Sequence, residues 1–138
     1  MMDYPETFLR GIFNNTYVDS EKKPKTHLFY FDKNDKREDD LLELSINWED
    51  NQGAINELHT RRKPDGDLQF EFGVARIPTS AISYINEFPQ INGDLTCERK
   101  IDDKDNQYHG NLLIPSDMPK HRMKAVASSI SLWVLEVV

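Results

Sequence analysis

The segment Tyr108-His109-Gly110-Asn111 holds the residues whose types are best suited to chemistry. An imidazole titrates near neutral pH, so His109 beside a glycine and an amide is able to act as a general base or to orient a substrate. Glycine also permits a strand bulge, and a histidine on a strand often bonds to its neighbour. We therefore interpret His109 first as structural, and second as the candidate base of a small hydrolase or nuclease.

That enzyme hypothesis needs further groups that the sequence does not place. The acidic partner of His109 would be one of Asp102, Asp103 and Asp105. Four side chains are considered as the nucleophile of this enzyme: Ser45, Ser80, Ser116 and Cys97. None of them lies in a sequence context typical of an activated nucleophile. Cys97 is interpreted as a small buried residue on a strand, because a reactive thiol needs a nearby cation or helix N-terminus.

Metal-binding patterns are weak throughout the chain. The acidic tract from Asp32 to Glu43 resembles a calcium loop at its ends, but Lys36 and Arg37 stand where a ligand and a glycine are needed. The four histidines, at positions 27, 59, 109 and 121, form no HxxxH or HxH pair. We expect neither a metal site nor a cofactor.

Two basic clusters stand out against the acidic composition. The first is Arg61-Arg62-Lys63, and the second is Lys120, Arg122 and Lys124 beside His121. Positive charge in the first turn of a helix opposes the macrodipole, so the second cluster has a local cost that an acidic partner docking there would explain. With Tyr108 and His109, these six residues are the predicted binding residues.

Composition limits the compartment and the partner. The 138 residues carry a net charge of −7, which repels phosphate backbones and anionic lipid, so a nucleic acid partner is not expected. The lone cysteine rules out an internal disulfide framework. No signal peptide or membrane-spanning window is visible. We predict one domain, residues 1–138, in the cytoplasm.

Alternating and periodic apolar residues predict the elements. Strands are expected where hydrophobic residues alternate with polar ones: Leu42–Trp48, Leu68–Ala75, Leu95–Arg99 and Tyr108–Ile114, with the aromatic run His27–Phe31 as a further buried strand. Helices are expected over Gly53–Thr60, after Ser80 until Pro89, and from Pro119 along the stripe that ends at Val137. Pro64–Asp67 is predicted to be a turn.

This order predicts an α+β fold: a mostly antiparallel sheet of about five strands, two short helices, and a long C-terminal helix packed on one face. Without a catalytic constellation, the expected function is a protein-binding module, such as a regulator, an inhibitor or immunity-type protein, or a subunit of an assembly. Trp48, Trp133 or the run Phe29–Phe31 would anchor a partner if exposed, although their periodic spacing favours the core. An acidic mimic of nucleic acid that blocks a DNA- or RNA-binding enzyme is a further alternative.

Overall fold

The computed structural model describes residues 4–21, 23–89, 91, 94–100 and 105–138. Within these ranges the strands are β1 Thr7–Gly11, β2 Leu41–Trp48, β3 Val74–Pro78, β4 Thr96–Arg99, β5 His109–Pro115 and β6 Glu136–Val137. The α-helices are α1 Gly53–Thr60, α2 Ala81–Glu87 and α3 Lys120–Leu132. The strands form one antiparallel sheet in the order β4-β5-β2-β1-β3-β6, which confirms the predicted α+β class with six strands instead of about five.

Each face of the sheet buries its own hydrophobic cluster. Phe8, Trp48 and Leu112 belong to the larger cluster, which also contains the buried side chains of α2 and α3. Leu9 and Val74 point to the other face and pack with the apolar side of α1. This division follows from the two-residue period of a strand, because neighbours such as Phe8 and Leu9 project to opposite faces.

β1 was not predicted, because its short run is buried on both faces and shows no alternation. It pairs with β3 over Thr7–Gly11, but its register with β2 joins Phe8 to Trp48 and Leu9 to Asn47. Beyond Leu9, β1 and β2 separate. A cavity opens in the gap between them.

The predicted strand Leu68–Ala75 is wrong except for its last two residues, because the strand begins at Val74 and residues 69–72 form turns. Gly11 explains the difference. A Cβ on Gly11 would lie 2.3 Å from the ring of Phe70, so that ring packs over the β1 backbone instead of lying in the sheet. The turn at Pro64–Asp67 is confirmed, and Gly66 has the positive φ of 93° that the turn requires.

The predicted strand His27–Phe31 is also wrong, because Thr26–Phe29 is a 3₁₀ turn that packs against α3. Leu28 and Phe29 are both fully buried in one cluster. A strand would send these consecutive side chains to opposite faces, whereas a tight helical turn directs both inward.

The C-terminal helix begins as predicted but ends at Leu132, so the extension to Val137 is wrong. Glu136–Val137 instead forms β6, where Arg76 pairs with Glu136 and Ala75 with Val137. β3 would otherwise leave its outer backbone groups unpaired, and this short strand satisfies them. The two shorter helices and strands β2, β4 and β5 lie where they were predicted, within one or two residues of the bounds.

Candidate binding sites

A cavity with a volume of about 730 Å³ opens between β1, β2 and the start of α3. We call it the basic cavity, because Arg10, Lys33, Lys120 and Lys124 lie on its wall. Two of the predicted binding residues, Lys120 and Lys124, are thus brought together with two cations that the sequence analysis did not select. Ligand sites in proteins commonly have this size.

Arg10 spans the gap between β1 and β2. Its Nε donates to the carbonyl oxygen of Leu28 at 2.6 Å, and its Nη1 donates to that of Ser45 at 2.7 Å. No carboxylate among the described residues forms an ion pair with it. Burial lowers the pKa of this guanidinium to about 10, so it stays charged at neutral pH.

The three lysines of the basic cavity are exposed, and none forms an ion pair in the part of the chain that the structure describes. Lys120 and Lys124 are four residues apart on α3, so they lie on the same side of that helix. Their mutual repulsion and the macrodipole both disfavour this placement. The structure therefore holds cations together at a local cost.

Two carboxylates also line the basic cavity, and each has a partner. Asp32 accepts a hydrogen bond from the backbone N–H of Asn34 at 2.9 Å, which caps a short 3₁₀ turn. Glu43 accepts from Nη1 of Arg37 at 3.3 Å. Four cations against two carboxylates leave this wall with a positive excess in a chain of net charge −7.

Aromatic rings form the remaining wall. His27 and Tyr30 lie with ring centroids 4.7 Å apart, and Phe13 meets Tyr17 edge to face at 5.0 Å. All four line the basic cavity, together with buried Phe31. The cavity thus combines flat apolar surfaces with ammonium and guanidinium groups.

His109 lies elsewhere, at a cleft of about 160 Å³ on the other side of Arg10. This His109 cleft is lined by Arg61, Ser45 and Asn106 among others. Buried Asn106 donates to Oδ1 of buried Asn47 at 2.7 Å, which fixes the cleft floor. Of the candidate acidic partners, Asp102 and Asp103 lie outside the described residues.

The other predicted binding residues have local partners. Arg61 pairs with Glu57, Arg62 donates to the carbonyl oxygen of Gly66 at 2.7 Å, and Lys63 lies 3.8 Å from Asp65. Arg122 lies 3.9 Å from Asp94 and donates to the carbonyl oxygen of Ile91, and Tyr108 donates to Oδ1 of Asn51 at 2.9 Å. The structure therefore does not bring the two basic clusters together into one binding surface.

A second exposed feature lies where α2 and α3 meet. The rings of Tyr84 and Trp133 stack with centroids 5.2 Å apart and 15° between their planes. Trp133 is 37% exposed, Tyr84 57%, Phe88 52% and Leu132 84%. We call these four residues the aromatic surface. Trp48 and Phe29 are fully buried, as their spacing indicated, whereas Trp133 is not.

Arg10, Lys33 and the aromatic wall were missed by the sequence analysis. The available signal was Phe8-Leu9-Arg10-Gly11-Ile12, in which one arginine interrupts an apolar run. A charge in such a position is buried at a cost and points to a functional role. Lys33 carried no such signal, because its neighbours in sequence are charged or polar.

Within the described residues, no three His, Cys, Asp or Glu side chains are grouped closely enough to hold a metal ion. No helix in the same ranges is long and apolar enough to cross a bilayer. Comparison of the chain with protein-family models, with curated proteins and with solved structures gives no match. The function is therefore inferred from the surfaces of the molecule itself.

Proposed function

We propose that this chain is a non-catalytic protein-binding module, and that its partner docks on the aromatic surface. The observation that carries this proposal is the exposed stack of Trp133 on Tyr84. Tryptophan and tyrosine are the residues most enriched among those that dominate binding energy at interfaces. A regulator, an inhibitor or immunity-type protein, or a subunit of a larger assembly would use such a surface.

The position of the stack suits binding without rearrangement. Tyr84 lies on α2, and Trp133 caps the end of α3, so two packed helices hold both rings. A side chain that is already ordered loses little conformational entropy when a partner covers it. Leu132 and Phe88 are also exposed, and they lie at the ends of the two helices that carry the stack.

Charge indicates the kind of partner. The chain has a net charge of −7, and complementary potentials steer association and select partners. The proposed partner is therefore a basic protein with an apolar groove or patch that accepts Trp133.

Photo-crosslinking followed by titration tests the proposal. A benzoylphenylalanine placed at position 84 should crosslink one basic protein in cells of the native host, whereas the same residue at position 68 should not. In titrations with that purified protein, Trp133→Ser should weaken binding about 30-fold, as for an interface hot spot. Leu68→Ser is the matched control, because Leu68 is also 37% exposed but lies in a turn beside Arg62.

Two results would contradict the proposal. One is the same set of crosslinked proteins from positions 84 and 68. The other is a partner whose affinity is unchanged by Trp133→Ser while the variant keeps the far-ultraviolet circular dichroism of the parent protein.

A small hydrolase is the second candidate function, and the His109 cleft is the observation that favours it. His109, Arg61 and Ser45 line the same cleft, so a base, a cation and a hydroxyl share one concave site. If the protein hydrolyses a generic ester or phosphodiester substrate, His109→Ala should abolish turnover with the fold intact. Absence of turnover by the parent protein would eliminate this candidate.

A further inference from the structure

The basic cavity brings together positively charged side chains that form no ion pairs among the described residues. Arg10 crosses the gap between β1 and β2 and is held by two neutral carbonyl groups. Desolvating a cation without a counter-charge is costly, and backbone dipoles offset that cost in part. An apolar residue at position 10 would fill the gap without the free-energy cost of desolvating a cation. Fold stability alone therefore does not explain why an arginine lies there.

The lysines add an independent observation. Lys120 and Lys124 point from the first two turns of α3 towards the same cavity, and Lys33 approaches it from a separate loop. The carboxylates on the wall are engaged by Arg37 and by the backbone of Asn34. Three ammonium groups therefore face the cavity without an ion-pair partner among the described residues, which is the arrangement of a site for an anion.

The rings restrict the shape of that anion. His27, Tyr30, Phe13 and Tyr17 present flat faces and edges to the same space as the cations. Planar ligands gain from stacking on such rings, whereas a bare inorganic anion gains nothing from them. A volume of about 730 Å³ accommodates a ring and its anionic group together.

We propose that the basic cavity binds a small phosphorylated compound with a planar ring, of the nucleoside monophosphate class. The phosphate lies between Lys120, Lys124 and the guanidinium of Arg10, and the ring lies against His27 and Tyr30. A phosphate dianion matches the excess of two positive charges on the wall. A nucleic acid strand is not the ligand, because successive phosphates would meet the negative field of the whole chain.

Isothermal titration with four probes tests the site. Adenosine 5′-monophosphate should bind at least tenfold more tightly than ribose 5-phosphate, which lacks the ring, and than adenosine, which lacks the phosphate. Inorganic phosphate should bind no more tightly than ribose 5-phosphate. Amide chemical shifts should change around His27, Tyr30 and Lys120 upon addition of adenosine 5′-monophosphate.

Variants separate this site from general charge effects. The double variant Lys120→Ala with Lys124→Ala should weaken binding of adenosine 5′-monophosphate at least tenfold. Lys23→Ala with Lys36→Ala removes the same charge from residues that do not line the basic cavity and that each have a carboxylate neighbour, and should change the affinity less than twofold. Arg10→Lys keeps the positive charge but removes the planar guanidinium with its several N–H donors. This variant should weaken the binding of adenosine 5′-monophosphate and of ribose 5-phosphate by a similar factor.

Three outcomes would overturn the proposal. The first is no binding of any probe at millimolar concentration, and the second is equal affinity for adenosine 5′-monophosphate and ribose 5-phosphate. The third is undiminished binding by the folded Lys120/Lys124 variant. None of these outcomes depends on the aromatic surface, so this proposal and the protein-binding proposal fail separately.

Discussion

Gly110 lies where the indole of Trp48 leaves no room for a side chain. A Cβ at Gly110 would stand 2.1 Å from Nε1 of Trp48 and 2.5 Å from the carbonyl oxygen of Glu98. Nε1 of Trp48 donates to that same oxygen at 3.0 Å, so the indole passes directly over the glycine. The glycine next to His109 is therefore explained by packing.

Gly110→Ala should lower the free energy of unfolding by about 2 kcal/mol, because the methyl group overpacks a buried site and disturbs the indole hydrogen bond. Urea denaturation followed by tryptophan fluorescence measures this change. In a Trp48→Phe background the same substitution should lower the free energy of unfolding by less, because the effects of substitutions at residues in contact are not additive. Equal costs in the two backgrounds would contradict the explanation.

Cys97 on β4 is half-buried beside Tyr4, and burial raises the pKa of its thiol. Because the thiolate is the reactive form, alkylation by iodoacetamide at pH 8 should be at least tenfold slower in the folded protein than in urea. Mass spectrometry of timed samples measures both rates. A folded rate as fast as the unfolded one would contradict the interpretation of Cys97 as an unreactive residue.

At the scale of elements, Glu49 joins three strands. It follows β2, accepts from Oγ1 of Thr7 on β1, and receives two hydrogen bonds from Arg76 on β3, at 2.8 and 2.7 Å. Arg76 also pairs with Glu136 on β6. The hydrogen bonds from Arg76 hold the pKa of Glu49 below its usual value of 4.5.

A carboxylate with a lowered pKa stabilises the fold above its unfolded pKa, and this contribution is lost as the pH falls through the folded pKa. Glu49→Gln should therefore reduce the free energy of unfolding at pH 7 by about 1 to 2 kcal/mol. The variant should also lose less stability than the parent protein between pH 5 and pH 3. Urea titrations at these three pH values measure both effects, and parallel pH profiles would contradict this role of Glu49.

The elements that could be predicted were those whose pattern reflects one buried face. β2 alternates because Leu44 and Ile46 face the larger cluster while Ser45 is exposed, and the first turns of α3 have the spacing of a helix. β1 has apolar neighbours on both faces and gave no such signal. The error before Val74 in the predicted strand Leu68–Ala75 arose because the ring of Phe70 packs over Gly11, a long-range contact that alternation cannot show.

At the scale of the molecule, one sheet separates two hydrophobic clusters. Trp48 belongs to the larger cluster, so its fluorescence reports on that side of the sheet, whereas far-ultraviolet circular dichroism reports on the helices of both sides, α1 included. Because β1, β2 and β3 contribute to both sides, we expect the two signals to change at the same urea concentration. Separate midpoints would contradict the prediction of a single domain over residues 1–138.

The candidate sites were predicted in part, because charge is visible in sequence but its neighbours are not. Lys120 and Lys124 were selected for their unfavourable position at the start of α3, and both line the basic cavity. Arg62 and Lys63 were selected as part of the other basic cluster, yet they bond within their own turn. The groups that surround a charged side chain come from segments that are distant in sequence, and local spacing gives no information about them.

The brief pairing of β1 with β2 divides the sheet into two halves, β4-β5-β2 and β1-β3-β6, joined by a short seam at Phe8 and Leu9. Arg10 is the first residue beyond this seam, and it borders both the basic cavity and the His109 cleft. Its hydrogen bond to the carbonyl oxygen of Ser45 joins the two halves again beyond the seam. Arg10 and Ser45 both line the two openings, so a substitution at Arg10 would change the wall of both sites at once.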